Sequence, residues 1–199
     1  MATLTPEEMR SRLVELASDL PSLQEKAEAW LLEHAPSTVP ALVAALDDDG
    51  LGSVGQWRVL LLLRQLRLPE TLPAVRAALR RARQGRDPIV LPGAMEALAA
   101  FRSPEAVADM AALLGSDDPD VVRHAAVLLG GMGDPTSAGP LSRLLESDVA
   151  GAPYAAAQGL LRLGTPEARA ALARHLAGRP DESVRRLIEG AGIRAGEGG

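Results

Sequence analysis

From Asp118 to Glu146 the apolar positions recur at helical spacing. Val121, Val122, Ala125, Ala126, Leu128, Leu129 and Met132 form one wide stripe, and Leu141, Leu144 and Leu145 form a second. Asp118 and Asp120 flank Pro119 just before the first stripe, an acidic helix start with a proline fitted to the first turn. Gly130, Gly131 and Gly133 are expected to end that helix, and Asp134-Pro135 to open the next. Two helices joined by so short a turn are antiparallel neighbours. One such pair cannot bury both stripes, so it needs copies on either side.

The copies are there. The pattern predicts a terminal helix over 1–20 with Met9, Leu13, Leu16 and Leu20 inward, started by the capping-box-like Thr5-Pro6-Glu7-Glu8. Paired helices follow over about 22–34 and 37–46, then 54–67 and from Pro69 onward. Further pairs start near Pro92 and Pro104, at the 118–146 unit, and near Pro153 and Pro166, before a last helix over 181–193. The second helices restart at Pro69, Pro104, Pro135 and Pro166, at intervals of 35, 31 and 31 residues. Val75, Met110, Leu141 and Leu172 fall in register, as do Leu79, Leu114, Leu145 and Leu176. The units then run 21–50, 51–85, 86–117, 118–147 and 148–180, with a tail over 194–199 expected to be disordered.

Composition narrows the chemistry. The chain has 199 residues, 47% hydrophobic but 2% aromatic, so its core is Leu, Ala and Val. It has no cysteine, which removes disulfides, thiolate metal sites and a cysteine nucleophile. A net charge of −5 argues against a general nucleic-acid binder. The start lacks a signal-peptide pattern and no apolar run approaches a membrane span, so a cytoplasmic location without membrane contact is expected.

Those residues now carry a resemblance. Asp120-Val121-Val122-Arg123-His124-Ala125-Ala126 and Leu129-Gly130-Gly131-Met132-Gly133-Asp134-Pro135 resemble HEAT repeats, in particular the short bacterial HEAT-like repeats associated with phycobilisome lyase subunits. Leu163-Gly164-Thr165-Pro166-Glu167 and Glu182-Ser183-Val184-Arg185 repeat parts of the motif, and 118–193 is closest to consensus. The resemblance implies an all-α, right-handed α–α superhelix of about five HEAT-like hairpins with terminal capping helices. It also implies that the second helices line a concave side. Arg123 and Arg185 match a family arginine that braces neighbouring layers, whereas Trp57, Pro92 and Tyr154 stand in its place elsewhere.

Charge is uneven along the chain. Residues 1–50 hold 3 basic and 10 acidic groups, and residues 51–86 hold 8 basic and 1 acidic. Arg76, Arg80 and Arg83 share one helical face, expected to look into the concave groove. Guanidinium forks there suit a carboxylate-rich partner. They equally suit the acidic ends of neighbouring helices, Asp47 to Asp49 and Asp117-Asp118, and both readings stay open. Asp109, Ser142, Arg143 and Glu146 extend the candidate protein-binding surface, with Trp57 and Tyr154 as rim anchors or as half-buried packing. His34, His124 and His175 lack metal-ligand spacing. His175 occupies the position of Leu144 in the preceding unit, so a hydrogen-bonded, half-buried histidine is expected.

No catalytic residues, metal or cofactor are assigned. The expected function is a non-catalytic scaffold that binds another protein, such as an acidic helix or peptide. The alternatives are a bilin lyase or isomerase subunit, suggested by the family resemblance alone, and nucleic-acid binding, opposed by the acidic balance.

Overall fold

The computed structural model describes residues 5–178 and 180–195, and among these every regular element is helical. The chain divides into two compact units, residues 1–101 and 102–199. The division falls inside the third predicted hairpin. Of the expected tail, residues 196–199 lie outside the described residues, as do residues 1–4 of the first helix.

Unit 1 contains α1 (Pro6–Leu16), α2 (Pro21–Glu33), α3 (Val39–Ala45), α4 (Gly52–Leu66), α5 (Leu72–Gly85) and α6 (Val90–Phe101). The capping box at the start of α1 forms as expected: the Glu8 amide donates to Thr5 Oγ1, and the Thr5 amide to Glu8 Oε2. The Thr5 amide and then the Thr5 hydroxyl, both donating to Glu8 Oε2, hold the Glu8 carboxyl below its usual range. Leu20 departs from expectation. The helix ends at Leu16, and Leu20 instead precedes Pro21 with 59% of its surface exposed. The apolar centre of α4 is core, since Val59, Leu60, Leu62 and Leu63 are all buried. Helix α5 begins three residues later than the proline punctuation suggests, after a 3₁₀ turn over Pro69–Thr71.

Asp87 joins two elements of this unit. Its Oδ1 accepts the amides of Ile89 and Val90, starting α6, and its Oδ2 accepts the Ser53 hydroxyl of α4 at 2.6 Å. Partial burial opposes ionisation, but the Ser53 hydroxyl and the two amides outweigh it and hold the carboxyl below its usual range. Asp87→Ala is expected to cost about 1–2 kcal/mol, as loss of a capping side chain does. Because the folded pKa is depressed, this stabilisation is complete above the ordinary carboxylate range. It is lost as pH falls through the lowered pKa. Urea titrations of wild type and variant from pH 7 downward check this: the gap should be full at pH 7 and should narrow as the pH falls below the ordinary carboxylate range.

Unit 2 contains α7 (Pro104–Ala112), α8 (Pro119–Met132), α9 (Ala138–Leu144), α10 (Ala152–Leu163), α11 (Pro166–Ala177) and α12 (Glu182–Gly190). Its most extensive helix–helix contact joins α8 to α10, the first helices of successive hairpins. In unit 1, α4 and α6 stand in the same relation and also contact closely. Small residues account for the approach in unit 2. Gly130 and Gly131 do not end α8 but lie within it; only Gly133, with φ of 75°, is the cap. A Cβ on Gly130 would overlap the backbone of Gly159, and a Cβ on Gly159 would lie 2.5 Å from the Ala126 carbonyl oxygen.

Three of the second helices share a start that the sequence reading did not single out. Thr38, Thr71 and Ser137 are buried hydroxyl residues immediately before α3, α5 and α9. Thr38 Oγ1 donates to the Leu31 carbonyl at 2.9 Å, tying the end of α2 to the start of α3. Ser103 and Thr165 instead cap α7 and α11, accepting the amides of Ala106 and Ala168. The signal was present as Pro-x-Thr/Ser before three of these helices and Ser/Thr-Pro before the other two.

Candidate functional site

In unit 1 the candidate site is α5. Val75, Ala78, Leu79 and Ala82 turn into the core, while Arg80 and Arg83 stand exposed. Neither arginine forms an ion pair or hydrogen bond among the described residues. Arg76 lies on the same side but is half-buried and has a partner within the protein. Arg81 is committed to bracing: its guanidinium lies 2.6 Å from Asp47 and donates to the Leu46 carbonyl at 3.0 Å, clamping the C-terminal end of α3. Bracing of a neighbouring acidic end is thus made by Arg81, beside the row of Arg76, Arg80 and Arg83. Arg81 serves a neighbouring helix, and Arg80 and Arg83 face solvent.

Trp57 is half-buried, its ring lying against Gly93 of α6, where a Cβ would come within 2.5 Å of Trp57 Cδ1. An aromatic face thus joins α4 to α6, with Arg58 6.0 Å from the same ring.

In unit 2, Ser142 and Glu146 line a cleft of about 310 Å³ between α9 and α11, facing Arg174 and His175. The Ser142 hydroxyl donates to the Ala138 carbonyl of its own helix at 2.6 Å, so its hydrogen is not offered to a partner. His175 is half-buried as expected, and its Nδ1 lies 2.7 Å from Glu146 Oε1. That contact links the second helices of consecutive hairpins. The Asp181 carboxyl, at the start of α12, is held below the usual range first by the Ser183 hydroxyl, then by the Val184 and Ser183 amides, with a smaller contribution from the nearby His175. Arg143 is exposed, Asp109 is half-buried on α7 with a partner in the protein, and Tyr154 is 37% exposed at the start of α10.

The arginine expected to brace layers does so at one position. Arg123 pairs with Asp120 and donates to the Ala150 carbonyl at 2.9 Å, reaching the loop that precedes α10. Gly151 sits there with φ of 75°, and a Cβ at that position would come within 2.8 Å of Arg123 Cδ. Among the described residues no group of three or more His, Asp or Glu side chains could hold a metal ion. No helix among them is long and apolar enough to cross a membrane.

Residues 39–129 match the family model of HEAT repeats. This stretch is similar to HEAT repeats. The match runs from the start of α3 to near the end of α8. It therefore lies mainly ahead of 118–193, where the resemblance was expected to be closest. It carries the broad HEAT class, not the narrower phycobilisome-lyase type. It includes the arginine-bearing α5 as well as Arg123, the residue with the HEAT-type bracing contact. No curated protein matches the chain.

Proposed function

We propose that the protein is a non-catalytic binding scaffold that holds an acidic helix or peptide of another protein against the exposed side of α5. HEAT repeats commonly mediate protein–protein contacts, because stacked hairpins present rows of side chains on rigid helices. The observation that carries this reading is the pair Arg80 and Arg83, exposed and unpaired on a helix whose other side is locked in the core. Two guanidinium groups one helical turn apart bind carboxylates in forks and carry little cost of ordering the backbone beneath them.

The test is quantitative affinity capture with wild type and the double variant Arg80→Glu/Arg83→Glu, each first checked by circular dichroism for native helicity. The variant is expected to recover the partner about tenfold less well, and wild-type recovery is expected to fall as salt rises. Equal recovery by the two proteins would remove these arginines from the interface.

A further inference from the structure

We infer that the groove between α1 and α3 is a self-association surface, filled by the same groove of a second copy of this chain. The groove has a volume of about 580 Å³. Leu13 and Val14 line it from α1, and the small residues Ala41 and Ala44 from α3. Val14 is 63% exposed, the most exposed large apolar side chain among the described residues. Elsewhere a lone exposed valine is unremarkable, but here it stands beside further apolar surface.

The charges select the occupant. The groove is lined by one residue of each sign, Arg10 on α1 and Asp48 just beyond the end of α3. Neither forms an ion pair among the described residues. A strongly basic or strongly acidic partner segment would satisfy one and oppose the other. A second copy related by a two-fold axis satisfies both: Arg10 of each copy meets Asp48 of the other, while each exposed Val14 packs against Ala41 and Ala44 of the other. In such an isologous contact every interaction occurs twice. The patch is short, so the dimer is a weak one.

Sedimentation of the full chain tests this. Wild type is expected to dimerise at concentrations on the order of 100 μM or below. Val14→Asp, at an exposed position, is expected to weaken the dimer about tenfold or more. Arg10→Glu and Asp48→Lys are each expected to weaken it too. Mixing those two variants restores association, because both cross-pairs become attractive again in the mixed dimer. Circular dichroism checks each variant's fold; should Val14→Asp fail to fold, the charge-swap mixture decides. A wild type that stays monomeric at the highest concentration would overturn the proposal. So would a dimer indifferent to Val14→Asp, or a mixture no tighter than either variant alone.

Discussion

Gly130→Ala is expected to destabilise unit 2 by about 3 kcal/mol or more, at or beyond the upper end of the usual cost of forcing extra atoms into a packed site. On intrinsic preference the change should help, since alanine is favoured over glycine inside a helix by about 1 kcal/mol. The structure reverses the sign. The added methyl would occupy the space of the Gly159 backbone on α10, and backbone cannot rotate aside as a flexible side chain can. Gly159→Ala meets the reciprocal obstacle, the Ala126 carbonyl of α8, and should behave alike. Gly131→Ala is the control. The position is exposed, and a methyl there would have only Arg162 Nη1 nearby, at 3.8 Å. That variant should be neutral or gain up to about 1 kcal/mol. Urea denaturation of the three variants checks the pattern; similar midpoints for Gly130→Ala and Gly131→Ala would mean α8 and α10 do not touch through their glycines.

Leu60→Ala is expected to cost about 3–5 kcal/mol, near the top of the range for truncating a buried leucine. Leu60 is fully buried, as are its neighbours Val59 and Leu63, within the helix that contacts α1, α2, α3 and α6. A helix walled in by other helices has little freedom to collapse onto a cavity, so most of the lost contact stays lost. Leu61→Ala should cost less, because Leu61 is only half-buried. Thermal melts followed by circular dichroism distinguish them; equal losses would show that α4 is not enclosed.

Much of this architecture was readable from apolar spacing and proline punctuation, because each restart is a local event. The register of Val75, Met110, Leu141 and Leu172 held, and all four are buried. What local pattern could not supply were features set by a neighbour distant in sequence. Gly130 looked like a stop signal because glycine commonly ends helices, yet its role is to admit Gly159, 29 residues away. Trp57 was open as a rim anchor or as half-buried packing; it is half-buried, and the Gly93 against its ring is a partner that no local pattern names. The arginines were visible as a row. That Arg81, beside this row, binds Asp47 while Arg80 and Arg83 stay exposed depends on where α3 ends beside α5. His175 was anticipated as a hydrogen-bonded histidine by its register with Leu144, whereas its partner Glu146 was placed on the candidate binding surface instead.

The most direct measurement is site-specific photo-crosslinking in the presence of the captured partner. A photoreactive residue placed at position 83 of α5 should yield a crosslinked adduct, and one at the exposed position 25 of α2 should not. Adducts formed from position 25 but absent from position 83 would contradict the account.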